Sequence, residues 1–351
     1  MAKRAESNKR NTLYGGLFIL FGVVLASTTF YFYQVFYTPN VLVQQGKMRL
    51  KIPTGASFNV VMDSLMKARA LTDPLSFGFV ARWMGYQDHI KPGLYLLQSD
   101  MSNRDAVRLL QKGEQLPINI TLSTARLKSE LPEKLCGPLE AKPAEFEALL
   151  NNEQACAEAG FSKETILCMF LPNTYEVYWT YTAEKLFNRF KKEYDKYWTK
   201  DRLQKAKLLE LSPIQVSILA SIVEAETQKP DERPRVAGVY LNRLKRGIPL
   251  QADPTVVFAV NDFSIRRVLD IHLQTESPYN TYKYKGLPPG PINLPSLSSI
   301  EAVLNAEKHS YLFFCAREDL SGYHNFAENG AQHLTNAEKY RRALNKMRIY
   351  R

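Results

Sequence analysis

Ser212-Pro213-Ile214-Gln215 opens a stretch whose residue types can do acid–base chemistry. Ser at the cap, Pro at the first helical position and Gln three residues on make a capping box. Ile214, Ile218, Leu219, Ile222 and Val223 then recur at helical spacing as far as about Thr227. Glu224 lies beside that stripe. Ala220 and Ser221 stand one turn earlier and Ser217 two turns earlier, small side chains that leave room above a carboxyl. An acid beside apolar walls is expected to have a raised pKa and to keep a proton it can donate, as an acid acting on a glycosidic oxygen must. A surface glutamate on an amphipathic helix would show the same spacing. Glu226 is two residues on, about 200° around the axis, so an intact helix is expected to turn it away from the cleft that Glu224 faces and toward a neighbouring loop. The two do not read as a glycosidase dyad.

The elements that must hold this helix are punctuated clearly, and they predict an α+β fold. Met48–Pro53 alternates like a strand, Ser57–Ala70 carries apolar residues at helical spacing, and Asp73-Pro74 starts a second helix. Gly93–Leu97 returns as a strand and Asn103–Lys112 is a helix stopped by Gly113. The order strand, helix, helix recurs weakly at Ile118–Leu122, Leu127–Leu135 and Ala144–Asn151. Leu171–Tyr178 reads as turn and strand, and Ala183–Lys200 as one polar helix. Asp231–Gly247 is a helix with Val236, Val239, Tyr240 and Leu244 on one face, and Asp253-Pro254 starts another. Tyr282–Pro295 is a loop rich in Pro and Gly. Ser298-x-x-Glu301 and Thr335-x-x-Glu338 are expected to cap the last two helices, with a hairpin of Tyr311–Ala316 and Tyr323–Ala327 between them.

No charged residue occurs between Asn11 and Gly46, and Leu13–Tyr33 is a largely apolar run of 21 residues. A helix of about 20 residues spans the hydrocarbon core of a bilayer. Tyr14 at one end and Tyr31, Tyr33 and Tyr37 at the other suit the two interfaces. Basic residues precede the run, so the N-terminus is expected in the cytoplasm and the rest on the far side of the membrane. The run is longer than a signal-peptide core and no A-x-A site follows it. The first cysteine is Cys136, which argues against a lipoprotein. Cys136, Cys156, Cys168 and Cys315 show no CxxC spacing, so no zinc or thioredoxin-type site is expected. They are either free thiols or, among the first three, a disulfide.

The chain has 351 residues and a net charge of +11, which invites a nucleic-acid reading. The distribution of charge weakens it. Residues 1–12 carry net +3 and residues 339–351 net +6, so the 326 residues between them carry only +2. A nearly neutral body is a poor match for a phosphate backbone. There is no G-x-S-x-G, H-E-x-x-H or Walker motif, and Ser64-Leu65-Met66-Lys67 has no K-T-G partner for a penicillin-binding site.

Leu219–Thr227 (LASIVEAET), Val239–Leu244 (VYLNRL), Leu250–Val256 (LQADPTV), Tyr279–Tyr282 (YNTY) and Gly286–Ile292 (GLPPGPI) resemble the YceG-like family of endolytic murein transglycosylases. The resemblance runs over nearly the whole chain, and LPNTY departs slightly from the family's LPDTY-like form. It implies a cytoplasmic tail (1–12), a membrane helix (13–34), a LysM-like subdomain (48–115) and a catalytic domain (116–351). The LysM-like unit would hold glycan strands or serve as a spacer. The resemblance also implies an enzyme of the cytoplasmic (inner) membrane, with its catalytic domain in the periplasm. That enzyme would cut MurNAc–GlcNAc bonds of peptidoglycan strands without water, near peptidoglycan synthases and with no metal or other cofactor. The family's catalytic glutamate falls on Glu224. It would protonate the leaving oxygen and then take the proton of the 6-hydroxyl, closing a 1,6-anhydro ring. Glu226, Gln251, Asp253, Asn280 and Tyr282 are candidates for substrate binding or for orienting Glu224; otherwise Asp253 caps a helix and Asn280 closes a turn. Tyr279, Tyr282 and Tyr284 either stack on sugars or pack, and His324 reads as a satisfied strand histidine. A muramidase-like hydrolase, with Asp253 positioning water, and a non-catalytic wall scaffold are the competing readings.

Overall fold

The computed structural model describes residues 2–43 and 46–346, with side chains from residue 13 onward. The tail charges of residues 1–12, and Arg348 and Arg351 at the other end, lie outside the described side chains. The first helix, α1 (Ala2–Tyr37), contains a stretch, Leu13–Tyr37, long and apolar enough to cross a membrane, with mean hydropathy 1.9. Pro39 lies just beyond its end, where it cannot continue the helix.

By its contacts the chain forms two compact units, Met1–Ile118 with Glu176–Thr180, and Asn119–Tyr175 with Tyr181–Arg351. In the first, β1 (Lys47–Ile52) pairs antiparallel with β2 (Gly93–Gln98), Leu50 opposite Tyr95. The alternation read at Met48–Pro53 turns Leu50 and Ile52 inward. They meet Val61 and Leu65 of α2 (Phe58–Lys67), Phe77 and Val80 of α3 (Pro74–Trp83), and Val107 and Leu110 of α4 (Asn103–Lys112) in one core. Asp73 caps α3, its carboxylate accepting from Leu75 N and Ser76 N at 3.0 and 3.3 Å. Gly113 ends α4 at φ 74°, a left-handed conformation that suits glycine. Val35, near the end of α1, belongs to the same core, and its carbonyl accepts from Asn103 Nδ2 at 2.8 Å.

The strands β3 (Pro117–Leu122) and β4 (Asn173–Tyr178) pair with each other. The second unit is mainly helical. It holds α5 (Leu131–Cys136), α6 (Pro143–Asn151), α7 (Glu153–Glu158), α8 (Ala183–Tyr197), α9 (Lys200–Leu208) and α10 (Pro213–Glu226). Then follow α11 (Arg233–Lys245), α12 (Asp253–Val260), α13 (Asp270–Leu273) and α14 (Leu297–Leu304). A hairpin of β5 (Phe313–Ala316) and β6 (His324–Ala327) and the helix α15 (Gly330–Lys346) complete it. Helices and short two-stranded sheets make the fold α+β, as the sequence predicts.

Four expectations need correction. α10 is not apolar on one stripe: every residue from Val216 to Val223 is buried, because α11 and α14 both pack on it. The helix expected over Ala183–Lys200 is two, broken where the Thr199 hydroxyl caps α9. The cap of α14 is Ser296, whose hydroxyl accepts from Ser299 N at 3.3 Å, not Ser298. α15 starts five residues before Thr335. Asn329 Oδ1 accepts from Gln332 N at its first turn, leaving Thr335 Oγ1 to donate back to Ala331 O at 3.0 Å as an interior residue. All four cysteines are free thiols.

Candidate active site

The capping box read at Ser212–Gln215 forms as expected, with Ser212 Oγ accepting from Gln215 N and Gln215 Oε1 accepting from Ser212 N. It sets the start of α10, and α10 carries Glu224 to its other end. The Pro/Gly-rich loop is docked along the same helix. Ile292 N donates to Ser221 Oγ at 3.1 Å and Asn293 Nδ2 to Ser221 O at 2.9 Å. The small residue at 221, read as leaving space for a carboxyl, leaves space for this loop. Gly290 is required for the fit, since a Cβ there would lie 2.3 Å from Glu164 O and 2.8 Å from Tyr279 Oη. The docked loop delivers Ser296 and the first turn of α14 to Glu224.

Three donors converge on one carboxylate oxygen. Oε2 of Glu224 accepts from Ser296 N at 2.9 Å, Ser296 Oγ at 2.5 Å and Ser299 Oγ at 2.5 Å. The N-terminal end of α14 lies against it, where the helix dipole favours negative charge. Arg233 stands 3.7 Å from the other oxygen, Oε1, and is held there by the hydroxyls of Ser296 and Ser298 at 3.2 and 2.9 Å. Burial pushes the Glu224 carboxyl up, but Ser296, Ser299 and the Arg233 charge outweigh it and hold the group below the usual carboxylate range. The raised pKa expected of an acid among apolar walls is therefore corrected for the open cleft. The walls are present, but the carboxyl itself meets hydroxyls. Ser296, Ser299 and Arg233 were not legible as site residues. The signal available was Arg233 itself, a cation in the first turn of a helix, where the dipole opposes it and a partner elsewhere is needed.

Glu226 departs from its expected place. It lines the same cleft as Glu224, a cavity of about 770 Å³, because the cleft crosses the C-terminal end of α10 instead of running along its side. Burial pushes its carboxyl up to about 7, against the hydrogen bond it accepts from Tyr240 Oη at 2.6 Å and with the charge of Asp253 adding to the rise. The two glutamates thus sit in opposite electrostatic settings two residues apart.

Behind Glu226 and Asp253 a second cavity of about 290 Å³ is lined by Gln251, Tyr282, Arg243 and Tyr240 as well as these two acids. Arg243 is buried and donates to Pro249 O and Leu312 O, each at 2.9 Å, and to Gln251 Oε1, which fixes the LQADP segment. Tyr282 Oη donates to Asp253 at 2.6 Å. Asp253 is the first residue of α12 and not its cap, which is Ala252. Asn280 is not brought to either cavity. Its amide is buried and donates to Leu273 O and Thr275 O while accepting from Tyr282 N, so it closes the loop. His324 is satisfied, with Nδ1 at 2.7 Å from Glu232.

The aromatic rings of the cleft are phenyl rings, and of the two readings left open for Tyr279 it is packing that the fold shows. Phe258 and Phe263 line the cleft, with Arg126 stacked 4.6 Å from the Phe263 centroid, whereas Tyr279 packs 4.7 Å from Phe258 behind the wall. Asn293 also lines it. Its Nδ2 is engaged by Ser221 O, and among the described residues nothing donates to its Oδ1. Four cleft acids, Glu130, Glu224, Glu226 and Asp253, face two arginines, Arg126 and Arg266, so the lining is mixed in charge with an excess of carboxyls. Hydrogen-bonding groups over an aromatic floor suit an uncharged, hydroxyl-rich ligand.

Residues 50–339 match the YceG-like family. The chain belongs to that family. A relative in Streptococcus pneumoniae (strain D39), named endolytic murein transglycosylase, is 30% identical over 323 residues, covering 82% of this chain and 57% of that protein. One of the same name in Bacillus subtilis is 43% identical over 122 residues, 35% of this chain and 33% of that protein. This YceG-like chain thus spans a little over half the length of its pneumococcal relative. A crystal structure of a yceG-like protein from Listeria monocytogenes aligns with a TM-score of 0.54 at 25% identity, over 83% of this chain and 99% of that one.

Proposed function

We propose that this YceG-like chain is a lytic transglycosylase that cuts peptidoglycan strands internally, and that Glu224 is its catalytic carboxyl. The observation that carries the proposal is the setting of Glu224, a residue lining the cleft whose carboxyl has one oxygen fixed by three donors and Arg233 3.7 Å from the other. Its family membership and the name borne by its relatives support the same reading.

The reaction balances with one carboxyl. Protonated Glu224 gives its proton to the oxygen between MurNAc C1 and GlcNAc C4, and the C1–O bond breaks with its electron pair leaving on GlcNAc. The MurNAc 6-oxygen attacks C1, and its proton passes to the Glu224 carboxylate. No water is consumed and the carboxyl ends as it began. The attacking oxygen belongs to the same sugar, so closure benefits from high effective molarity. The resting site is already arranged for the second half, since it braces a carboxylate. The first half needs the proton on Glu224. A glycan that excludes water from the cleft moves the carboxyl in that direction by removing solvation of the charge.

Glu226 and Asp253 serve as the polar wall beside the reacting sugars, with Tyr282 bracing Asp253 and Gln251 held by Arg243 in the cavity behind them. Asn280 acts by holding Tyr282 in place. The apolar stretch of α1 anchors the chain in the cytoplasmic membrane, with residues 1–12 in the cytoplasm and the rest outside it. At that height the enzyme would meet nascent strands beside peptidoglycan synthases and end their growth, and the LysM-like unit would hold glycan or set the distance.

Mass analysis of the ends made from intact glycan strands tests the chemistry. Anhydro-MurNAc ends are expected. Reducing MurNAc ends would replace the transglycosylase by a muramidase-like hydrolase with Asp253 as its water-positioning group, and uncut strands would leave a scaffold.

A further inference from the structure

α3 is apolar on two faces. Phe77, Val80 and Ala81 point into the core of the first unit and are fully buried. Leu75, Phe79 and Trp83 repeat at a spacing of four on the other face and are 86%, 41% and 67% exposed. A soluble helix has no use for such a stripe. The stripe is continuous with the end of α1: Phe79 lies 6.1 Å from Phe32 and 6.4 Å from Phe36, and Trp83 lies 6.0 and 6.4 Å from the same two rings, centroid to centroid.

The position of those contacts along α1 says what covers them. A hydrocarbon core of about 30 Å takes about 20 residues of helix. The apolar stretch has 25, Leu13–Tyr37. Counted from Leu13, the core ends near Phe32, and Phe32 to Tyr37 stand at the boundary between acyl chains and headgroups, where aromatic rings gather. The rim of the patch is basic. Arg82 is exposed beside Trp83, and the Arg104 guanidinium lies 5.1 Å from the Tyr37 ring. Arginines at that level reach phosphates while their stems cover apolar surface.

We infer that the outer face of α3 is a membrane-docking surface. Leu75, Phe79 and Trp83 sit in the outer boundary of the same bilayer that α1 crosses, so the first unit lies on the lipid. This rests on the anchor reading of α1 but not on the proposed chemistry.

Trp83 reports on it directly, because Trp179 and Trp198, the other two tryptophans, are 7% and 6% exposed. The full chain is reconstituted in phosphatidylethanolamine–phosphatidylglycerol vesicles carrying acyl chains brominated either near the headgroup or near the methyl end. Trp83→Phe, treated identically, gives the background to subtract. The Trp83 component is expected to be blue-shifted and quenched more by shallow bromines than by deep ones. Alkaline carbonate extraction separates the failures. A chain released by carbonate overturns the anchor and the docking surface together. A chain retained, with Trp83 emitting as in water and unquenched by lipid, overturns the docking surface alone. A Trp83 that is shielded but unquenched, and only at high protein density, overturns it in favour of a second copy of the chain.

Discussion

Ser296 places two donors on one oxygen of Glu224, its backbone N–H at 2.9 Å and its hydroxyl at 2.5 Å. The residues are 72 positions apart, and only the docked Pro/Gly loop brings them together. The Glu224 carboxyl is therefore oriented by the cap of another helix, so its rotamer and its charge depend on the same contacts.

The first prediction concerns the carboxyl itself. Glu224→Gln keeps the acceptor for Ser296 and Ser299 and removes the transferable proton. Strand cleavage is expected to fall by roughly 10²–10⁴-fold, the range of a lost general acid–base group. The thermal melt should stay close to wild type. A well-folded variant that cuts strands at the wild-type rate would remove Glu224 from the mechanism.

Ser299→Ala removes one of the bonds that favour the carboxylate, so the Glu224 pKa should rise. A hydrogen bond worth about 1 kcal/mol corresponds to a little under one pH unit. The reaction needs the protonated form, so the alkaline limb of kcat/KM should move to higher pH by about that amount, while kcat drops because Oε2 is less firmly held. A pH–rate series on soluble glycan strands reads both. An unmoved limb would mean that another group sets it.

Glu226 is expected to make stability depend on pH. Its folded-state pKa is about 7, above the ordinary carboxylate value of 4.5. As pH rises from 4.5 to 7 the unfolded chain gives up this proton while the folded chain keeps it, so stability falls across that window. The full cost, at most about 3 kcal/mol, is present above pH 7. Glu226→Gln can still accept from Tyr240 and carries no charge to bury. Its melting temperature should exceed wild type above pH 7 and converge with it below pH 4.5 in a calorimetric series.

Gly290→Ala tests the docking of the loop. Its Cβ would meet a backbone carbonyl, Glu164 O, which cannot swing aside as a side chain would. Overpacking of this kind costs about 1–3 kcal/mol. The expected result is a lower melting temperature together with a loss of activity out of proportion to it, because the loop carries Ser296. Activity retained at full stability would show that the loop can dock without this close approach.

The starts of α3 and α10, the end of α4, the C-terminal hairpin and the place of Glu224 near the end of α10 were legible because they rest on local rules. Asp73 caps α3, Gly113 ends α4 and the Ser212–Gln215 box opens α10, each within a few residues of sequence. The surroundings of Glu224 were not, because Ser296 and Ser299 reach it across 72 and 75 residues and no periodicity encodes such a meeting. The same holds for Glu226. A helical wheel treats the helix as endless, and this residue is the last of α10, where a cleft can pass over the end. The interior of α10 reads in sequence as an apolar stripe with small residues beside it, yet Ser217 and Ser221 are buried as well, their hydroxyls bonded within the helix to Pro213 O and Ile218 O.

α1 enters the first unit without a joint. Val35 is in the core, Phe32 and Phe36 pack on α3, and Asn103 holds the Val35 carbonyl. A single residue inserted between Gly22 and Val23 would turn everything beyond it by about 100° and advance it by about 1.5 Å. α1 is therefore a keyed shaft whose length sets the angular phase of the first unit, and insertions should affect the protein with the period of a helical turn, not in proportion to their length.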